Sequence, residues 1–208
     1  MALELNYVLY GSLERPCIVI LHGLLGSSRN WATIARALTE GSCVFCVDLR
    51  NHGHSPHAEP SDYAAMMEDV VHFIKTQCPS KPVLMGHSLG GKVSMALACK
   101  HPELIEKLVV VDIAPKAYPM MHSRKEFEGL NAIRLTDHFT RQDVEQKLAQ
   151  WVSDWGTRQF LMTNLVHDES VRGFKWQVNL PALTAYLPQF SLNPLEPSDR
   201  YLGPTLFI

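Results

Sequence analysis

The most constraining feature of this sequence is a Gly-x-Ser-x-Gly motif at residues 86–90, which follows an apolar run and precedes a helical pattern. This order predicts a nucleophile elbow, a sharp strand-to-helix turn that lifts one serine above a parallel sheet. Gly86 and Gly90 are required because a side chain at either position would crowd the turn. Ser88 should then adopt an unfavourable backbone conformation, as functional residues sometimes do.

Short apolar runs alternate with helical patterns along the first half of the chain. This alternation predicts a doubly wound α/β sheet with mostly parallel strands and crossover helices on both faces. Polar residues follow several of the strands, at the edge where open α/β sheets bind ligands. Strands are predicted at 4–10, 17–21, 43–47, 83–85 and 108–111, and the polar residues that follow four of them are His22, Asp48, Ser88 and Asp112.

The pattern changes after residue 114, and three parts are expected. Residues 1–114 form the core with the elbow, 115–192 form a helical cap inserted over the sheet edge, and 193–208 return to the core sheet. The alternative interpretation is that residues 115–192 add further outer helices to the core instead of forming an inserted cap. The chain stops inside an apolar run, so we expect the C-terminal part of the fold to be missing.

Four local patterns predict elements after residue 114, of which two are helices and two are short strands. A Thr-x-x-Asp cap opens a helix at Thr140, and Phe160, Leu161 and Leu165 indicate another helix. Short strands are predicted at 173–178 and 201–208.

Bulk composition excludes several classes of protein. Apolar residues make up 46% of the chain, which is typical of a globular protein. The formal net charge is −2 without a basic stripe, so no nucleic-acid partner is expected. No apolar run reaches membrane-spanning length, and the first residues do not resemble a signal peptide. A cytoplasmic location is therefore expected, and the sequence does not predict an oligomeric state.

Neither cysteine nor histidine patterns predict a metal site. Cys43 and Cys46 match C-x-x-C, but in a strand their side chains point to opposite faces, which predicts reduced and buried thiols. His52, His54 and His57 share one loop without a matching set of thiols or carboxylates.

Ser88 needs a base and an oxyanion hole to act as a nucleophile. Asp112 is the best carboxylate to orient a histidine base, because it ends the strand after the elbow helix. The backbone amides of Leu24 and Leu89 are the predicted oxyanion hole. The side chains of Leu24 and Leu25 are expected to line an acyl pocket, whereas Asp48 is expected to pack the loop that follows it.

A phosphate-binding loop is the rival interpretation of residues 86–93. The sequence nearly matches G-x-x-x-x-G-K-[ST], but Val93 lacks the hydroxyl that would bind magnesium. That interpretation also leaves the His22-Gly23 loop unexplained.

Several motifs together resemble the α/β-hydrolase superfamily, in particular YbfF-type esterases and their mitochondrial abhydrolase-domain relatives. The resemblance implies a serine hydrolase that cleaves small-molecule acyl esters or thioesters through an acyl-enzyme on Ser88, without metal or organic cofactor. It also supports Asp112 as the acid. Other reactions of the superfamily, such as C–C hydrolysis or lyase chemistry, and a non-catalytic binding protein remain alternatives. The motifs lie at 22–27, 48–56, 86–92, 111–115, 160–165 and 176–180.

None of the ten histidines is well placed as the catalytic base. In α/β-hydrolases the histidine follows the last strand, so we expect it beyond Ile208 and expect residues 1–208 alone to be inactive. His22 belongs to the oxyanion loop, and His87 should turn its side chain away from the site. Three further histidines lie in the expected cap, namely His122, His138 and His167.

Overall fold

A computed structural model describes residues 1–118, 124–135, 140–170 and 173–208. Its centre is a six-stranded sheet in the order β1-β3-β2-β4-β5-β8. Only β1 runs antiparallel to its neighbour, so the predicted doubly wound, mostly parallel α/β fold is confirmed. The strands of this sheet are β1 (Tyr7–Tyr10), β2 (Cys17–Leu21), β3 (Cys43–Val47), β4 (Val83–His87), β5 (Lys107–Val111) and β8 (Thr205–Phe207).

Strands β2 and β3 are apolar at every position because helices cover both faces of the sheet. Cys43 belongs to the larger core cluster and Cys46 to a smaller cluster around Ile20 and Val44. Both thiols are free, and burial raises the pKa of Cys43 to about 11 and that of Cys46 to about 12. The structural interpretation of this C-x-x-C pair is therefore confirmed.

Seven α-helices lie in the described ranges. Helix α5 begins with the predicted cap, in which the Asp143 amide donates to the Thr140 hydroxyl at 3.2 Å and the Thr140 amide donates to the Asp143 carboxylate at 2.8 Å. None of the described helices is both long and apolar enough to cross a membrane. The helices are α1 (Ala32–Leu38), α2 (Tyr63–Gln77), α3 (Leu89–Lys100), α4 (Arg124–Ala132), α5 (Arg141–Leu148), α6 (Trp155–Met162) and α7 (Leu180–Phe190).

Four of these helices and a hairpin lie between β5 and β8. The hairpin consists of β6 (Leu165–Asp168) and β7 (Gly173–Trp176), and only β7 was predicted. Leu165 was expected on a helix with Phe160 and Leu161, which is wrong because α6 ends at Met162. Leu165 instead pairs with Trp176 across the hairpin, and this cross-strand pairing outweighs the local helical spacing.

Candidate active site

The carboxyl edge of the sheet brings four predicted residues close together in the fold. His22 follows β2, Asp48 follows β3, Ser88 follows β4 and Asp112 follows β5. Because β4 lies between β2 and β5, Ser88 is flanked by the loops that carry His22 and Asp112.

The turn at Ser88 has the geometry that its two glycines predict. Ser88 has φ 48° and ψ −111°, a conformation that is strained for a serine. A Cβ at Gly86 would lie 2.3 Å from the carbonyl oxygen of Gly90, and one at Gly90 would lie 2.6 Å from that of His22. The Ser88 amide donates to the carbonyl of Val111 at 3.0 Å, which attaches the turn to β5.

The loop after β2 lies against this turn. A Cβ at Gly23 would lie only 3.4 Å from the Ser88 Cβ, and the Gly90 amide donates to the His22 carbonyl at 3.2 Å. Leu89 is the first residue of α3, so its amide has no acceptor within the helix. The structure therefore brings the segment containing Leu24 and the amide end of α3 to the same serine.

Leu24 and Leu25 have different surroundings. Leu24 is half-buried and lines a cavity beside Ser88. Leu25 was expected to line the same pocket, but its side chain is 3% exposed and lies in the main hydrophobic core. The backbone of Leu25 is left-handed, with φ 61°, and this explains why its side chain points in a different direction from that of Leu24.

His22 and His52 are buried and neutral. His22 Nε2 accepts from the Leu49 amide at 3.0 Å, and His52 Nε2 accepts from the Leu25 amide at 3.2 Å. Burial lowers the pKa of both rings, that of His52 to about 3. Because each Nε2 already accepts a backbone hydrogen bond, both rings act as structural acceptors.

Asp48 anchors two loops from a fully buried position. Its carboxylate accepts hydrogen bonds from the Ser28 amide at 2.6 Å, the His54 amide at 3.0 Å and the Asn6 side chain at 2.8 Å. Burial by itself would raise the pKa of Asp48, but these hydrogen bonds hold it below its ordinary value. Asp48 packs the loop that follows it, as predicted. Its hydrogen bond from the Ser28 amide also attaches this loop to the end of the His22 loop.

Asp112 lies at the open edge of the site. It has φ 56°, its side chain is 86% exposed, and its carboxylate lies 3.8 Å from His87 Nε2. His87 was expected to turn away, but its ring lines the same cavity as Ser88. The reason is the space that Gly23 leaves, because a Cβ at that glycine would lie 2.7 Å from His87 Nδ1.

The remaining histidines have varied positions. His167 lies in β6 with its ring 5.9 Å from that of Phe174, whereas His122 and His138 lie outside the described residues. Within the described ranges, no three His, Cys, Asp or Glu side chains are arranged to hold a metal ion.

The cavity beside Ser88 has a volume of about 380 Å³. Its wall is mainly apolar, and Phe160 reaches it from α6, which lies between β5 and β8. The lining residues are His22, Gly23, Leu24, Gly26, Asn30, Trp31, Ile34, His87, Ser88 and Phe160.

The family profile of the alpha/beta hydrolase fold matches residues 16–178. The chain belongs to the α/β-hydrolase family. It is 38% identical to the sn-1-specific diacylglycerol lipase ABHD11 of Mus musculus, covering 99% of this chain and 69% of that protein. It is 37% identical to the esterase YbfF of Escherichia coli K12, covering 92% and 72%. A solved marine microorganism esterase superposes with a TM-score of 0.94 at 32% identity, covering 99% and 80%.

Two polar residues of this α/β-hydrolase were assigned no role from the sequence. Asn164 donates from its side chain to the Leu25 carbonyl at 2.8 Å, and the Asn179 side chain donates to Asn51 at 2.9 Å. Both lie within the stretches that carry the family resemblance. Their partners are more than 120 residues away along the chain, so no local pattern could identify them.

Proposed function

We propose that this protein is a serine hydrolase that cleaves acyl esters or thioesters through an acyl-enzyme on Ser88. The observation that carries the proposal is the strained Ser88 turn, which borders an apolar cavity and lies against the Gly23 loop. Relatives named as esterases and as a lipase support ester hydrolysis.

In the proposed mechanism, Ser88 Oγ attacks the acyl carbonyl carbon while a histidine takes its proton. The amides of Leu24 and Leu89 donate to the oxygen that becomes negatively charged. The histidine then returns the proton to the leaving alcohol or thiol as the bond to the acyl carbon breaks. Water, activated by the same histidine, attacks the acyl-enzyme and releases the acid and free Ser88.

The histidine of this proposal follows β8 in the whole protein, and Asp112 orients it. The exposure of the Asp112 carboxylate supports this role, because a further side chain can reach it at the sheet edge. His22 and His52 are unsuited to it because backbone amides already occupy their Nε2 atoms.

The cavity supports a preference for apolar acyl groups of short to medium length. Four apolar side chains contribute to its wall, namely Leu24, Trp31, Ile34 and Phe160. Its volume of about 380 Å³ lies at the lower end of the range for small-molecule sites. In this proposal residues 115–192 form the cap, and Phe160 closes the pocket from that side.

The decisive test is labelling of the whole protein with a fluorophosphonate probe, which reacts with activated serines. The wild type should be labelled on Ser88, and Ser88→Ala should abolish the signal. Ser94→Ala is the matched control, since it removes the hydroxyl of a buried serine in helix α3, which follows the Ser88 turn. Labelling that persists in Ser88→Ala would refute the proposal.

A second assay defines the substrate class. Rates should be measured on p-nitrophenyl esters of increasing acyl length and on acyl-CoA thioesters of the same lengths. We expect turnover of short and medium chains. A preference for charged, hydrophilic acyl groups would contradict the apolar pocket.

A further inference from the structure

The loop beside Ser88 contains a tight turn over residues 23–26. The Gly26 amide donates to the Gly23 carbonyl at 2.9 Å, and Leu25, with φ 61°, is the third residue of the turn. A positive φ at this position is typical of a type II turn and favours glycine or asparagine. A leucine there is strained, so other contacts must hold it in place.

Two buried side chains hold both polar backbone atoms of Leu25. The Leu25 amide donates to His52 Nε2 at 3.2 Å, and the Leu25 carbonyl accepts from Asn164 Nδ2 at 2.8 Å. Asn164 is 3% exposed and His52 is fully buried, so water does not compete for either contact. The Leu25 side chain lies in the core and adds a third attachment.

The His52 ring and the backbone of Asn164 are themselves held by neighbouring groups. His52 Nδ1 donates to the Arg50 carbonyl at 3.0 Å, which leaves Nε2 as the acceptor. The Asn164 carbonyl accepts from the Gln177 amide at 2.8 Å. Arg141 donates from its guanidinium to the carbonyls on either side of Asn164, at Met162 and Leu165, at 2.8 and 2.6 Å.

We propose that Asn164 and His52 are positioning residues that hold the Leu25 peptide in its left-handed conformation and thereby aim the Leu24 amide at the oxygen bound beside Ser88. The inference deepens the proposed function and rests on it. Without these contacts Leu25 would relax to a negative φ, and the change would rotate the peptide groups of the turn. Asn164 lies four residues after Phe160, so the segment that forms a pocket wall also braces the oxyanion loop.

The test compares Asn164→Leu with Asn131→Leu in the whole protein. Both changes remove a side-chain amide that donates to a backbone carbonyl, but Asn131 contacts Phe127 and Thr184 and lies away from the turn. Loss of an oxyanion donor lowers kcat by about 10²–10³. A donor that is displaced but still present should provide part of its stabilisation, so the decrease in kcat should be smaller. We expect Asn164→Leu to lower kcat about 10- to 100-fold with KM within about twofold, while Asn131→Leu leaves both unchanged.

Hydrogen exchange of the peptide that covers residues 22–27 gives a readout that does not need activity. We expect exchange at this peptide to be at least about tenfold faster in Asn164→Leu and unchanged in Asn131→Leu. His52→Leu should act on the same peptide. The kcat of the double variant should therefore be no lower than that of the single variant with the lower kcat.

Several outcomes would overturn the inference. They are a kcat within twofold of wild type, an equal loss in Asn131→Leu, unchanged exchange, or independent losses for His52 and Asn164. A wild type that neither turns over esters nor reacts with the fluorophosphonate would instead refute the proposed function. In that case the exchange rates still decide whether the two side chains hold the turn.

Discussion

Replacing Asp48 with asparagine tests the claim that one buried carboxylate anchors the loops around the site. The change keeps the shape of the side chain but replaces one acceptor oxygen with an NH2 group. One carboxylate oxygen accepts from Ser28, and the other from Asn6 and His54. Asn6 can rotate its side-chain amide so that its oxygen accepts from the new NH2 group. The backbone N–H of His54 cannot change in this way and would face a donor instead of an acceptor.

The expected loss follows from that conflict. A hydrogen bond to a charged group contributes about 1.5–3 kcal/mol, and a buried donor without an acceptor costs about 1–3 kcal/mol more. Allowing for local relaxation, we expect Asp48→Asn to lower the free energy of unfolding by about 2–4 kcal/mol at pH 7. Urea unfolding should show a midpoint lowered by roughly 1–2 M.

The same variant predicts a pH dependence with a definite sign. The folded protein holds the pKa of Asp48 below its ordinary value of 3.8. A lowered folded pKa stabilises the protein fully above the ordinary value, and this contribution is lost as the pH falls through the folded pKa. The difference in unfolding free energy between wild type and Asp48→Asn should therefore be full above about pH 5 and narrow as the pH falls below the ordinary value of 3.8.

Asp154→Asn is the matched control, since the exposed Asp154 caps helix α6 and asparagine is an equally good cap. We expect it to change the unfolding free energy by less than about 0.5 kcal/mol. A loss below that value in Asp48→Asn, or a difference that grows as the pH falls, would refute the reasoning.

Two further predictions concern the turn and the loop beside it. In Gly90→Ala the new Cβ would lie 2.6 Å from the carbonyl oxygens of Leu21 and His22, so we expect a loss of about 1–3 kcal/mol in urea unfolding and weaker labelling of the active serine. Leu25→Ala should cost about 2–5 kcal/mol because it empties a core position, whereas Leu24→Ala should cost less than about 1 kcal/mol and change the preferred ester length. Equal stability losses for the two leucines would contradict their assignment to core and pocket.

The strands of the six-stranded sheet and the serine turn could be predicted from the sequence alone. Short, fully apolar runs such as β2 and β3 favour strands covered on both faces, and the predicted bounds of both agree with the structure. The serine turn was predictable because its steric conflict is local, with the carbonyl of Gly90 next to the position that a Gly86 Cβ would occupy.

Other features depended on contacts that no local pattern contains. The β6–β7 hairpin overrides a helical spacing at Leu165, and the ring of His87 enters the cavity because Gly23, 64 residues earlier, leaves room for it. The direction of Leu25 likewise depends on Asn164, 139 residues away. Backbone sterics and burial periodicity act between near neighbours, so the sequence by itself determined which segments become strands of the central sheet and where the serine lies. Only the tertiary structure decided which side chains meet across the chain, because those contacts exist only after distant segments have packed.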